Sequence, residues 1–227
     1  MKLIYLFAYL FWALPLSAIS YSDGAIKKPL SLQEMPDNPM TAFQAWFQEA
    51  FRLEGKQNAS TMTLSTATAG GRPSSRMMLL KGVNDQGLIF YGDLRSTKFQ
   101  QLRINPYASI AFYWPALRRQ VIVSGKVVPV PAEIAGEYFS TRKRDSQAAS
   151  HVCNQGSPLN SREELLAAHQ EVMDKYENQE IPAPTHWGGY QLIPDRAEFW
   201  QGDPKNLHSR VEYTKSNGNW KKQFLHP

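Results

Sequence analysis

Between Ser74 and Lys98 the chain reads SSRMMLLKGVNDQGLIFYGDLRSTK, a stretch that concentrates the residue types that hold a phosphate. Arg76, Lys81, Arg95 and Lys98 bring positive charge, and Ser96 and Thr97 bring hydroxyl donors. The pattern predicts a strand, a tight turn, a second strand, then a polar loop opening a helix. A helix start leaves N–H groups unpaired and carries partial positive charge, so cations and donors converging there make a phosphate cradle. Further along, Arg142, Arg144 and Ser146 repeat the combination, as do His208 and Arg210. Each cluster alone also reads as an ordinary solvated basic face, and composition favours that plainer reading of the first stretch. Together they point to one or two small phosphorylated ligands, because Arg and Lys beside Ser and Thr satisfy a phosphate dianion.

Several chemistries lack their motifs. No G-x-G-x-x-G follows a strand and no G-x-x-x-x-G-K-[ST] is present, so the common nucleotide loops are missing. No His/Cys cluster has metal-ligand spacing, and no G-x-S-x-G elbow occurs. The single cysteine, Cys153, excludes an intrachain disulfide. A formal charge of +5 suits anionic small molecules or nucleic acid. The continuous basic stripe with interleaved aromatics that nucleic-acid binding needs is missing, so no nucleic-acid partner is expected.

The elements that must position these residues follow from periodicity. Phe43, Trp46, Phe47, Ala50 and Phe51 share one helical face. Residues 60–68 alternate as a strand, and Gly70-Gly71 turns into a second, Ser74 to Lys81. Strict alternation places Arg76 and Lys81 on opposite faces; both serve one site only if a bulge intervenes or one of them acts from the strand's end. Asn84 to Gly87 turns into Leu88–Tyr91, and Ser96 caps a short helix ended by Asn105-Pro106. Strands are expected over Tyr107–Trp114 and Arg119–Val130, then a helix from Pro131 that carries Tyr138 and runs into Arg142 and Ser146. Residues 147–160 read as a loop, and Ser161 with Glu164 as a capping box opening a helix with His169 on its apolar side. Tyr190–Ile193 and Ala197–Trp200 read as two strands, and Arg210–Tyr213 begins a hairpin turning at Asn217-Gly218. Seven or eight closely spaced strands with three or four helices predict a mainly β, α+β architecture, an antiparallel barrel with peripheral helices. A single domain is expected over residues 39–227, after a flexible lead-in at 21–38.

Residues 1–20 stand apart. Met1-Lys2 precedes an apolar run from Leu3 to Leu16, followed by Ser17-Ala18-Ile19-Ser20. That has the charge, apolar length and small-residue exit of a secretory signal, and it is too short for a comfortable membrane span.

Six stretches in order, SSRMMLLKG, GLIFYGDLRSTK, RRQVIVSGK, EYFSTRKRDSQ, WGGYQLIPDRAEFWQG and LHSR, resemble the pyridoxine/pyridoxamine 5′-phosphate oxidase family. The resemblance runs from about residue 36 to the C-terminus. It implies a split β-barrel binding flavin mononucleotide (FMN) at the interface of a homodimer. It also implies oxidation of pyridoxamine or pyridoxine 5′-phosphate to pyridoxal 5′-phosphate, with O₂ reduced to H₂O₂, and no stable membrane association. By position, Arg76 and Lys81 match FMN-site residues, and the strand between them, Met77, Met78, Leu79 and Leu80, lies against the flavin. Tyr91, Gly92, Thr97 and Lys98 match the next FMN group, and Gln120 a glutamine near the isoalloxazine. Gln155, Gly156, Trp200 and Arg210 match the remaining contacts, with Gln155, Trp200 and Arg210 expected from the second subunit. Lys81, Tyr138, Arg142 and Ser146 match the substrate-phosphate site, the last three at i, i+4 and i+8 of one helix face. Asn206 and His208 match the pair over the substrate, which the resemblance implies are the catalytic positions. The cofactor carries the hard step, so the protein's task is to stack and orient two rings, with no strong general base.

The chain departs from the family at several points. Asn206-Leu207-His208 stands where Arg-x-His is usual, which leaves open a non-catalytic or weakly active FMN- or pyridoxal-phosphate-binding paralogue. Thr97 replaces an arginine of the FMN-phosphate loop, with Arg95 nearby as a substitute, and Gly156 replaces a serine. The family's N-terminal arginine-and-tyrosine segment has no counterpart beyond Tyr21. The resemblance implies a cytoplasmic protein; the segment from Met1 to Ser20 argues for an exported or organellar one.

Overall fold

The computed structural model describes residues 28–227. The signal-like segment and the first part of the lead-in lie outside the described residues. From residue 28 on, the lead-in is tied to the body. Tyr213 Oη donates to the Pro36 carbonyl at 2.7 Å, Gln201 Nε2 to the Lys28 carbonyl at 2.9 Å, and Lys222 Nζ to Asp37 at 2.8 Å.

Helix α1, Pro39–Ser60, starts where Asn38 Oδ1 accepts from the Met40 amide at 2.8 Å, with proline at its first position. Phe43, Trp46 and Ala50 are buried as the periodicity requires, but Phe51 is 46% exposed. The helix breaks at Gly55, whose φ of +78° an L side chain rarely adopts.

Among the described residues nine strands form one antiparallel sheet. They are β1 Thr61–Ala67, β2 Pro73–Leu79, β3 Gly82–Asn84, β4 Gly87–Asp93, β5 Tyr107–Trp114, β6 Arg119–Pro129, β7 Trp187–Gln201, β8 Ser209–Ser216 and β9 Asn219–Leu225. The order is β2-β1-β5-β6-β7-β4-β3, with β8 on β7 and β9 on β8. The sheet curls into a half-barrel around Met62, Leu64, Leu88, Phe90, Phe112, Val121 and Phe199, closed on one side by α1. Helices α2 Thr97–Ile104, α3 Ala132–Ser140, α4 Arg144–Val152 and α5 Arg162–Lys175 lie at the periphery. Among the described residues no helix is long and apolar enough to cross a membrane.

Strand β7 organises the sheet. Along one edge it pairs with β6 throughout; along the other it pairs first with β4 and then with β8. The expected two strands are therefore one. Pro194 ends the local alternation, but it sits between the β4 and β8 pairings, where a missing N–H costs no ladder bond, and the register shift at Ser124/Gly125 absorbs the irregularity. Gly125 is required there, since a Cβ would lie 2.1 Å from the Ile193 carbonyl oxygen.

Two further expectations are corrected. Tyr138, Arg142 and Ser146 do not share one helix. The hydroxyls of Ser140 and Thr141 donate to the carbonyls of Glu137 and Tyr138, both at 2.8 Å, and the chain leaves the helix there. Residues 147–160 are not all loop, because α4 occupies 144–152, with Ala148 buried and Gln147 Nε2 donating to the Phe139 carbonyl at 3.0 Å. At α5 the Ser161 hydroxyl accepts from the Glu164 amide at 3.0 Å as the capping box requires, while the helix buries no residue.

Candidate active site

Lys81 acts from the end of its strand. β2 stops at Leu79; the Leu80 amide still reaches the Ser60 carbonyl at 2.8 Å, but the Lys81 amide donates to Ile89 on β4 at 2.9 Å. The chain thus crosses from one side of the half-barrel to the other, and Lys81 escapes the alternation that fixes Arg76. The intervening residues divide between two hollows. Met78 and Leu79 line a cleft with Lys81, whereas Met77, 64% exposed, lines a separate hollow with Tyr113 and Gln120.

Arg76 is held in a polar frame. Its guanidinium donates to the Leu64 carbonyl at 3.0 Å, to Thr66 Oγ1 at 2.8 Å and to Ser74 Oγ at 2.8 Å. Gln101 of α2 accepts from Ser74 Oγ at 2.9 Å and completes the frame. Lys98, in the first turn of α2, is buried, and its ammonium donates to Ser96 Oγ at 2.9 Å and Gln155 Oε1 at 2.7 Å. Ser96 stands at the cap position, but its hydroxyl donates to the Asp93 carbonyl at 2.7 Å instead of accepting from the helix. Burial, and then the Arg76 charge, lower the Lys98 pKa to about 8 against a weaker opposing pull from Asp93. Two desolvated cations facing each other, with only neutral oxygens bonded to them, are the donor set a phosphate dianion needs.

Arg95 is not available as a substitute for Thr97. Its guanidinium grips Asp93 through Nε at 3.0 Å and Nη2 at 2.8 Å, and reaches the Cys153 carbonyl at 2.8 Å. Burial acts to raise the Asp93 carboxyl, and the bonds from Arg95 and the Gln155 amide outweigh it, leaving it below the usual carboxylate range. Thr97 itself is exposed, beside Gly156, whose φ is +93°. Gln155, expected from a second subunit, is bonded to Lys98 of its own chain.

The second anion site lies in a cleft of about 530 Å³ against the first. Tyr91 and Tyr138 stack at 4.3 Å between ring centres, and Arg142 lies 4.2 Å over the Trp187 ring while donating to Ser150 Oγ at 2.6 Å. Lys81, Tyr138, Arg142 and Ser146 all line the cleft, together with Tyr91, Gly92 and Gln155. The four matched phosphate residues therefore meet although they come from a strand end, α3, the α3–α4 link and α4. Burial raises Tyr91 and Tyr138 and lowers Arg142. Lys81 is lowered by burial, then by Lys56 and Arg142. Sequence reasoning missed Trp187, Lys56 and Lys143, which also line this cleft. Trp187 was present in the matching WGGY stretch and Lys143 in EYFSTRKRDSQ; Lys56 lies in none of the matching stretches.

A third cluster sits elsewhere. Gln120 pairs with Trp200, and Trp200 with Arg210, across β6, β7 and β8. His208 lies 4.8 Å from the Trp200 ring and accepts from the Asp203 amide at 3.0 Å through Nδ1. Arg210 Nε donates to Glu198 at 2.9 Å, and Nη1 to the His226 carbonyl at 2.8 Å. Asn206 holds a left-handed turn with φ of +60°. Trp187 and Trp200 occupy opposite ends of β7, roughly 40 Å apart along the strand. One chain does not bring this cluster to the two anion sites.

Residues 48–176 match the family model described as pyridoxamine 5′-phosphate oxidase, and residues 187–227 match the pyridoxine 5′-phosphate oxidase C-terminal dimerisation region. Among relatives, the pyridoxine/pyridoxamine 5′-phosphate oxidase of Nostoc punctiforme is 43% identical over 200 residues, 87% of this chain and 92% of that protein. The one from Sphingopyxis alaskensis is 40% identical over 193 residues, 85% of this chain and 89% of that protein. Among solved structures, PhzG from Burkholderia lata, crystallised with tetrahydrophenazine-1-carboxylic acid, superposes with a TM-score of 0.81 at 29% identity, covering 86% of this chain and 95% of that one. An FMN-binding protein from Nostoc punctiforme related to pyridoxamine 5′-phosphate oxidase shares the fold at a TM-score of 0.68 and 18% identity, covering 82% of this chain and 97% of that one. With both family models matched and the anion sites in place, the chain belongs to the pyridoxamine 5′-phosphate oxidase family.

Proposed function

We propose that this chain is an FMN-dependent oxidase that converts pyridoxamine and pyridoxine 5′-phosphates to pyridoxal 5′-phosphate, with O₂ reduced to H₂O₂. The observation that carries the reading is the adjacency of two phosphate-type sites, Arg76 with Lys98 and the cleft of Lys81, Tyr138, Arg142 and Ser146. FMN supplies the two-electron chemistry when bound. Arg76 and Lys98 bind its phosphate, and Thr97, Gln155 and Gly156 border that site. Tyr91, Gly92, Met78 and Leu79 line the cleft beside it. Arg142, Ser146, Tyr138 and Lys81 fix the substrate phosphate, and the Trp187 ring under Arg142 keeps the guanidinium oriented and excludes water.

The active protein is a homodimer with FMN at its interface. The dimerisation-region match supports this, and so does the span of β7, which leaves Trp200, Arg210, Asn206 and His208 to complete the site of the second copy. Gln120 lies on that same face, paired with Trp200. The cofactor and the vitamers are intracellular, which favours the cytoplasm.

Purified protein should be yellow, and pyridoxamine 5′-phosphate should bleach the flavin anaerobically. Protein that cannot be reconstituted with FMN removes the reading. Bound flavin that no B6 phosphate bleaches would identify a non-catalytic binding protein instead.

A further inference from the structure

The cleft carries more positive charge than one phosphate accounts for. Lys56, Lys81, Arg142 and Lys143 line it, and no carboxylate does. Among the described residues none of the three lysine ammonium groups forms a hydrogen bond or an ion pair, whereas the Arg142 guanidinium is bonded to Ser150. Lys56 is delivered by the break in α1: it directly follows Gly55, where the positive φ turns the chain out of the helix. Lys143 is delivered by the α3–α4 link, at the N-cap position of α4 with an extended ψ of 141°. Both are exposed at the rim, while Arg142 and Ser146 lie deeper.

We propose that Lys56 and Lys143 form a cationic rim that recruits the substrate's phosphate dianion and delivers it to Arg142 and Ser146, making them specificity-determining residues for phosphorylated over unphosphorylated vitamers. The inference rests on the reading of the cleft as a B6-phosphate site. The electrostatic argument is one of range. The rim lysines face water, so their field reaches an approaching anion over about 8 Å at physiological salt. A cleft lined by one sign of charge concentrates oppositely charged ligands and speeds their capture. Lys81 already bears the cost of that crowding, since Lys56 and Arg142 both disfavour its charged form. An arriving dianion relieves that repulsion.

The test is binding of pyridoxal 5′-phosphate to the FMN-loaded protein, followed by absorbance at low and high salt. K56Q/K143Q should bind roughly 5- to 20-fold more weakly than wild type at about 20 mM salt, and within about twofold at about 500 mM. Unphosphorylated pyridoxal should show no difference. The pair K215Q/K221Q, at the distant β8–β9 hairpin, makes the same change in net charge and should leave binding as in wild type. Equal affinity and equal salt dependence in wild type and K56Q/K143Q would overturn the proposal. So would the same loss in the hairpin pair, or a wild-type protein that does not bind pyridoxal 5′-phosphate. Lysine-dependent binding with a flavin that no vitamer bleaches would leave recruitment standing and remove the oxidase reading. Bleaching that is indifferent to both lysines would do the reverse.

Discussion

Raising the pH should release FMN from this protein, and Lys98 sets where. Its ammonium is buried beside Arg76, and its pKa is lowered from 10.5 to about 8. A phosphate dianion placed between the two cations would restore the pKa toward its ordinary value. Below about pH 8 the ammonium is already formed and FMN affinity is flat. From about 8 to 10.5 the apoprotein must take up a proton on binding, so affinity falls. The lowered pKa corresponds to about 3 kcal/mol against the charged form at 1.36 kcal/mol per pKa unit, and to about 2 kcal/mol after allowance for partial solvent screening. The expected loss across the window is therefore about 30-fold. Stability of the apoprotein moves the opposite way: the unfolded chain holds the Lys98 proton up to higher pH, so folding gains stability as pH rises through this window. The assay is quenching of FMN fluorescence by apoprotein at a series of pH values, on wild type and Lys98→Met. The variant should bind about 10- to 100-fold more weakly at pH 7, having lost a charge-assisted contact, and should lack the step. FMN's own titration is common to both proteins and cancels. A wild-type affinity that stays flat up to pH 10, or the same slope in the variant, would refute the assignment of Lys98 to the FMN phosphate.

Gly189→Ala should cost roughly 2–4 kcal/mol in urea unfolding, because its Cβ would lie 2.4 Å from a Tyr91 ring carbon and 2.8 Å from the Phe90 carbonyl oxygen. A loss under about 0.5 kcal/mol would mean that β4 and β7 shift freely there. If Trp200 completes the partner's site, inactive Lys98→Met and Trp200→Ala chains should complement each other when co-expressed. Each mixed dimer would hold one intact site, and random pairing would restore about a quarter of wild-type activity; no recovery would place Trp200 and Lys98 in the same protomer's site. Asn206→Arg should lower the KM for pyridoxamine 5′-phosphate by adding a cation over the substrate, while costing about 1 kcal/mol of stability at φ +60°. An unchanged KM would show that this position does not limit binding.

Much of the molecule was legible in the amino-acid order. Alternation marked most strands, Asn84 to Gly87 and Asn217-Gly218 marked their turns, and the ordered blocks from SSRMMLLKG to LHSR marked the family. These signals are local: a strand's faces repeat every two residues and a turn's backbone is set by its own side chains. The sequence by itself therefore determined the mainly β character and most of the residues that could hold phosphate. Only the tertiary structure decided which of them meet. Lys81 joins its site because β2 ends at Leu79, two residues before it, and the chain changes partners. Tyr138, Arg142 and Ser146 converge although the helix that would have aligned them ends at Ser140. Arg95 was consumed by Asp93, and Gln155 was brought onto Lys98 from 57 residues away. Such contacts depend on how distant segments pack around one core, and no period in the chain encodes them.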